Sequence, residues 1–325
     1  MAYNLYFHIS KSTDPYENLA TEKYLFDTLS ENDIILYLWQ NKDTVVIGKN
    51  QNPAAECRIS LFEKEGVKLA RRLSGGGAVY HDTGNLNFTF LCSEENYSPK
   101  TQTEIIMNAC SMAGIMTEFS GRNDILAGGR KFSGNAFYIS KGKVCRHGTL
   151  MINTDTEKLT HLLTPPKAKL EAKGIKSVKS RVVNLSELAP GLSCEEMKNY
   201  LISAFEEKYS ISANPILNID TTHIQNLKKE YECDEFIFGK TLPFTADCES
   251  YFPWGHIRIC LNAKKGKITS VQVYTDCLDA DLTPLLQKAL SDISFTPDSV
   301  DSALKASLQS PFYNDISEFM MKEFF

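Results

Sequence analysis

The sequence predicts an α+β fold: a large domain on a mixed or largely antiparallel sheet with flanking helices, followed by a small α+β C-terminal accessory domain. Three observations point there. Helical and strand-like segments are interspersed along 325 residues without the strict strand–helix alternation of a parallel array. Several strand-like runs come in neighbouring pairs joined by short polar turns, the texture of hairpins. Near residue 245 a second alternating strand pair begins, followed by short helices, so domains over 1–244 and 245–325 are expected. A chain of this length has room for one large core and one small one.

The elements follow in order. Asp14 before Pro15 is a helix start, a capping side chain followed by proline at the first helical position. Tyr16, Leu19, Ala20, Tyr24 and Phe26 then recur at roughly helical spacing. Ile34–Trp39 and Thr44–Gly48, rich in apolar and β-branched residues, read as strands. Val67–Arg72 reads as another, followed by a glycine run and then by the strand-like Asn85–Cys92. Thr101–Ala113 reads as a helix. Arg130–Ile139 and Lys143–Ile152 flank Ser140–Gly142 as a hairpin. Pro165–Arg181 is polar and strongly basic, hence a loop. A helix over Cys194–Tyr209 precedes Ser210–Asp220, whose Ser, Asn and Pro content suggests a linker. His256–Leu261 and Lys267–Thr275 form the second domain's hairpin around the turn Asn262–Gly266, with two or three short helices after it.

A formal net charge of −5 gives no basis for general nucleic-acid binding. The N-terminal segment has no basic n-region, apolar h-region or Arg-rich transit character. No stretch reaches the roughly 18 uncharged apolar residues of a membrane helix. A cytoplasmic protein that engages neither membrane nor nucleic acid is expected. Nine scattered cysteines form no C-x-x-C pair, so reduced, mostly buried thiols are expected rather than a zinc or redox site.

Chemistry concentrates in three stretches. Arg71–Asp82 reads RRLSGGGAVYHD. Three consecutive glycines cost conformational entropy and suit a backbone that must approach a ligand and aim N–H groups at anionic oxygens. For a bare triplet a tight turn with a surface arginine pair is the favoured reading; the neighbouring Arg72, Ser74, His81 and Asp82 shift the balance to anion binding. In the second stretch, Gly121–Asp124 precedes Arg130–Ala136. Lys131 has small residues after it and can reach a ligand as a point charge, and Asp124 offers hard oxygens suited to Mg²⁺. A solvated lysine and an Asn-Asp turn are the plainer alternatives. In the third, Arg146–Leu150, His147 is either a ligand contact or a hydrogen-bonded structural residue.

Together these stretches resemble the lipoate–protein ligase A family. The pattern R-x-S-G-G-G-A-V-[FY]-H-D falls on Arg72–Asp82 and G-N-x-x-F-T on Gly84–Thr89. G-R-N-D falls on Gly121–Asp124, K-x-S-G-x-A on Lys131–Ala136 and H-G-T-L on His147–Leu150. A-K-G-I-x-S-V-x-S-R-V-x-N-L falls on Ala172–Leu185. The resemblance covers roughly residues 10 to 190, and the C-terminal domain is supported by position and length. It implies a biotin/lipoate ligase-like fold. It also implies ATP-dependent activation of (R)-lipoate to lipoyl-AMP and transfer to a lysine of lipoyl domains, in 2-oxoacid dehydrogenase E2 subunits and the glycine cleavage H protein.

By the same resemblance Arg72, Ser74, Gly75, Gly76, Gly77, Ala78, Val79, Tyr80 and His147 would bind ATP and lipoyl-AMP. Lys131 would be the catalytic lysine, touching nucleotide phosphate and lipoyl carbonyl. Lys173 and Arg181 would belong to the adenylate-covering loop, while Lys176 and Lys179 would steer an acidic acceptor. Asp124 would hold Mg²⁺; only Gly128 and Gly129 precede Arg130 and Lys131, leaving it the sole nearby carboxylate. A monomer is expected. The alternative enzyme is an octanoyl or lipoyl transferase working through a cysteine thioester, for which Cys145 is the candidate. The G-R-G-R-x-G loop of biotin ligases is absent.

Overall fold

A computed structural model describes residues 3–120, 123–163, 181–238, 246–264 and 267–325. Gly121, Arg122, Lys173, Lys176 and Lys179, and with them most of the expected basic loop, lie outside the described residues. The strands, in chain order, begin with β1 (Asn4–Ile9), β2 (Asp33–Trp39), β3 (Thr44–Ile47), β4 (Lys68–Arg71) and β5 (Val79–His81). There follow β6 (Asn85–Ser93), β7 (Glu118–Phe119), β8 (Asp124–Ala127), β9 (Arg130–Ser140), β10 (Lys143–Met151) and β11 (Asn214–Pro215). The last three are β12 (Ala246–Phe252), β13 (Gly255–Lys264) and β14 (Lys267–Thr275).

The large sheet runs β11-β1-β2-β6-β10-β9-β8-β7. Its β11–β1 and β1–β2 pairs are parallel and the rest antiparallel, which makes it the mixed sheet the sequence implies. Side chains alternate between faces. One face carries Leu36, Leu38, Phe88, Phe90, Val144 and Leu150, packed with Ile105 and Ile106 of the Pro99–Met112 helix and with Leu201 and Phe205 of the Cys194–Tyr209 helix. The other face is less uniform. Register places Trp39 opposite Asn87 and Asn87 opposite Thr149; one row over, Tyr37, Thr89, His147 and Ala136 line up. Buried polar groups on one face of an otherwise apolar sheet are costly unless partnered, and these rows become the floor of the site.

Above that floor lies a small sheet, β4-β3-β5, which holds the 72–78 loop between β4 and β5. Beside it the Pro15–Thr28 helix buries Leu19, Ala20, Leu25 and Phe26 against Tyr37, Trp39 and Val46. Asp14 caps this helix, accepting from the Tyr16 amide at 2.9 Å, and Lys68 and Lys228 each approach its carboxylate at 3.1 Å. Burial raises the Asp14 pKa, but the lysines and the Tyr16 amide outweigh it and hold the group below its ordinary value. Its stabilisation is thus present at neutral pH and lost as pH falls through the lowered folded-state pKa. Asp14→Ala should destabilise by about 1 kcal/mol at pH 7, as for loss of an N-cap. Thermal midpoints should show the gap to wild type narrowing toward pH 3; a gap independent of pH would discount the ion pairs.

Two expectations are corrected. Ser210–Asp220 is not a free linker. Its Asn214 pairs with Tyr6 as β11, and Ile216 donates to the Phe7 carbonyl at 2.9 Å, so the segment closes the sheet edge. The helix expected from Thr101 begins at Pro99, because Ser98 caps it by accepting from the Thr101 amide at 3.2 Å. The C-terminal portion has its own antiparallel sheet, β12-β13-β14. Its core joins Ile257, Ile259, Val273, Leu286, Leu304 and Met320 from the sheet and the helices Leu282–Leu290, Pro297–Ser307 and Phe312–Phe324.

Candidate active site

A cavity of about 860 Å³ opens between the polar floor, the 72–78 loop and the C-terminal portion. Trp39, Asn87, His147 and Thr149 come from the floor, and Arg72, Gly76, Gly77, Ala78, Val79 and His81 from the loop and β5. Asp124, Lys131, Gly134, Asn135 and Ala136 contribute one wall, while Tyr251, Trp254, Asp276, Cys277, Leu278 and Phe312 contribute another.

Lys131 stands on β9 with Nζ 2.7 Å from Asp124 Oδ1 on β8. A Cβ at Gly134 would meet that Nζ at 2.8 Å, so the glycine clears the space the ammonium uses. The Lys131 amide donates to the Arg181 carbonyl at 2.8 Å, and the Val183 amide donates back to Lys131 at 3.0 Å. The chain returning from the basic stretch is therefore pinned to the lysine's own backbone, which places Arg181 beside it.

The glycine run is tightest where sequence did not foresee it. Gly76 has φ +89°, a conformation glycine adopts freely, and its amide donates to the Cys277 carbonyl at 3.1 Å. A Cβ on Gly75 would lie 2.2 Å from that same carbonyl. The close approach expected toward a ligand is, at Gly75 and Gly76, made to the C-terminal portion; Gly76 also borders the cavity, with Gly77, Ala78 and Val79, while Gly75 does not.

Arg72 is likewise not the free forked cation its position suggests. Nε donates to Ser74 Oγ at 3.0 Å, Nη2 to the carbonyls of Gly75 and Gly77 at 2.7 and 2.8 Å, and Nη1 to that of Val46 at 3.2 Å. Burial lowers its pKa to about 10, and it shapes the loop from behind while touching the cavity. Tyr80 departs too. Alternation on β5 turns it away from Val79 and His81 into an apolar cluster with Val45 and Ile47, its hydroxyl donating to Asp43 at 3.0 Å. The neighbouring Arg71 spends its guanidinium on backbone carbonyls of Gly48, Lys49, Gln51, Phe236 and Ile237, at 2.5 to 3.0 Å.

His147 sits in a buried relay. Its Nδ1 is 2.9 Å from Glu22 Oε1, and its Nε2 is 2.6 Å from Ser74 Oγ. Thr89 donates to Glu22 at 2.7 Å, and Trp39 Nε1 donates to Thr89 at 3.0 Å. With the carboxylate as acceptor, Nδ1 carries the ring proton and Nε2 accepts from the Ser74 hydroxyl. Ser74 therefore acts from beneath the wall. Glu22 was missed by sequence reasoning, although a carboxylate between Leu19 and Phe26 on a core-facing helix was a readable signal.

Cys145 belongs to the next row of the floor, off the cavity wall. Burial first, then the adjacent Glu22, pushes its thiol well above the ordinary range, the reverse of what a nucleophilic cysteine requires. Glu22, Cys145 and His147 are the one group of three possible metal ligands among the described residues, with ligand atoms within 4.8 Å of one another. Their mixed, buried donors do not suit Mg²⁺, which takes oxygen ligands and keeps water or phosphate. The Asp124 carboxylate on the cavity wall fits that requirement. No helix among the described residues is long and apolar enough to cross a membrane.

Comparison with known proteins bears on the whole chain. The family model described as "Lipoyl protein ligase A/B catalytic domain" matches residues 14–206, and "Bacterial lipoate protein ligase C-terminus" matches 241–324. The chain is 42% identical over 296 residues to a lipoate-protein ligase A of Psychrobacter cryohalolentis, covering 88% of this chain and 87% of that one. It resembles the crystal structure of P. falciparum LipL1 in complex with lipoate, with TM-score 0.87 and 28% identity over 98% of this chain and 99% of that one. A lipoate-protein ligase A bound with ATP gives TM-score 0.63 and 26% identity over 74% of this chain and 99% of that one.

Proposed function

Because this chain belongs to the lipoate–protein ligase A family, we propose that it is a ligase activating (R)-lipoate with ATP to lipoyl-AMP and passing the lipoyl group to a lysine of lipoyl-domain acceptor proteins. Acceptors of the E2-subunit and H-protein type, a cytoplasmic location, a monomeric state and a division into 1–244 and 245–325 complete the proposal. The observation that carries it is Lys131, a half-exposed ammonium on the wall of a sheet-floored cavity that also presents the glycine loop.

The chemistry requires that arrangement. In the first step a lipoate carboxylate oxygen attacks the α-phosphorus of ATP, forming a C(O)–O–P anhydride and releasing pyrophosphate. Two anions must meet, so a fixed cation between them lowers the barrier. Lys131 would leave Asp124 for the phosphate and acyl oxygens, and the backbone of Gly77–Val79 would hold others. Mg²⁺ carried by Asp124 with the nucleotide would neutralise phosphate charge. In the second step the acceptor amine attacks the acyl carbon, the C–O bond to AMP breaks and the amine loses a proton. Lys131 would balance the oxyanion. No enzyme nucleophile is needed, since the anhydride is already activated.

Lipoate-dependent ATP–pyrophosphate exchange, with mass spectrometry of an added lipoyl domain, tests this directly; ATP-independent acylation from an octanoyl thioester would replace it with the transferase alternative. Cys145→Ala should keep at least about half the exchange rate and lose roughly 1 kcal/mol of stability to the small cavity. Complete loss of acyl transfer in a folded variant would return Cys145 to the mechanism.

A further inference from the structure

Two nitrogen donors buried in the cavity wall have no partner among the described residues: His81 Nε2 and Asn87 Nδ2. Their residues are 3% and 1% exposed, and both line the cavity. Neighbours fix which way each points. The Asn41 amide nitrogen lies 3.1 Å from His81 Nδ1, and an NH₂ group can only donate, so Nδ1 accepts and the ring proton is on Nε2. Asn41 is itself oriented by Asn18, whose Nδ2 donates to Asn41 Oδ1 at 3.0 Å. Asn85 Nδ2 donates to Asn87 Oδ1 at 3.0 Å, which leaves the Asn87 amino group as the open end.

The surroundings are apolar. Trp39 stands edge-on to His81 at 6.1 Å between centroids and directly opposite Asn87 in register; Leu19 and Val46 line the same end. Lys131 is far along the floor, on β9. Three strand spacings, about 14 Å, separate β2 from β9, and the lysine's Nζ stands over Gly134 and Asp124 at the far end. A pentanoate tail lying along the floor with its carboxylate at Lys131 would run toward the end where Trp39, His81 and Asn87 stand.

On the ligase reading above, we infer that His81 Nε2–H and Asn87 Nδ2–H recognise the sulfur atoms of the dithiolane ring and so separate lipoate from fatty acids of similar size. Sulfur is a weak acceptor, but the contrast between ligands is what selects. A hydrocarbon end leaves both buried donors unmet, whereas a ring sulfur gives each an acceptor, and a buried unmet donor costs more than a met one gains. The ring sulfurs also suit the edge and face of Trp39.

The test is calorimetric binding of (R)-lipoate, 5-cyclopentylpentanoate and octanoate to the wild-type protein. The cyclopentyl acid keeps the five-membered ring and tail and lacks only the sulfurs. Lipoate should bind on the order of tenfold tighter than either analogue, a difference of about 1.4 kcal/mol. In His81→Phe and in Asn87→Leu that ratio should fall toward one, with the cyclopentyl acid bound as well as before or better. Equal affinity of wild type for lipoate and the cyclopentyl acid overturns the inference and leaves the ligase reading standing wherever lipoate still drives pyrophosphate exchange. Lipoate that neither binds nor drives exchange overturns both. The wild-type comparison needs no variant to fold.

Discussion

Lys131→Ala should lower lipoate-dependent ATP–pyrophosphate exchange by a factor on the order of 100 or more, as expected for removing a central electrostatic contact. The protein should remain folded. Among the described residues the ammonium's one ion pair is to Asp124, with side chains 39% and 32% exposed, and such pairs contribute less than about 1 kcal/mol. The ties to residues 181 and 183 run through the Lys131 backbone and survive truncation. A thermal midpoint within a few degrees of wild type, together with lost exchange, separates charge from structure. Exchange at the wild-type rate would remove Lys131 from the mechanism and with it the observation on which the proposed function chiefly rests.

Gly76→Val should reduce ATP affinity at least tenfold and destabilise the protein by about 1–3 kcal/mol, the range for a non-glycine residue held in a sparsely populated conformation. The backbone there has φ +89°, and a Cβ would lie 2.9 Å from Arg72 Nη2. Arg72 holds the loop through the carbonyls of Gly75 and Gly77, so displacing the guanidinium moves the segment that faces the cavity. Gly66→Ala serves as the control. Gly66 also has positive φ, +66°, but nothing lies within 4 Å of its Cβ position; the substitution should cost stability and leave nucleotide binding alone. A folded Gly76→Val protein with unchanged ATP affinity would reduce the glycine run to a turn.

The elements legible in the sequence were those whose cause is local. Asp14 and Pro15 announce a helix by capping chemistry, β2 by an apolar run long enough to be covered on both faces, β6 by its apolar and polar alternation, and β10 by the Ser140–Gly142 turn it shares with β9. Lys131 on a strand beside small residues was legible for the same reason. What escaped depends on partners distant in the chain. β11 is two residues long and polar, and only its pairing with β1 makes it a strand. The Glu22–His147 contact joins residues 125 positions apart, so neither residue alone declares the pair. Tyr80 sits inside a motif, yet strand alternation turns it from the cavity. Arg72 looks like a free cation until the carbonyls of its own loop claim it. The C-terminal wall, Trp254 and Asp276 to Leu278, could not be assigned to the site before the fold brought Cys277 against Gly76.

Arg71 sets a geometric limit on that wall. By grasping the carbonyls of Phe236 and Ile237 together with those of Gly48, Lys49 and Gln51, it ties the Asp234–Phe238 helix to the strand that leads into the glycine loop. The C-terminal portion meets the same corner from the other side: the Thr275 amide donates to the Asn50 carbonyl at 2.9 Å, and Asn50 Nδ2 donates to the Ala280 carbonyl at 3.2 Å. One guanidinium therefore braces, from behind, both the strand that leads into the glycine loop and the corner on which the C-terminal wall rests.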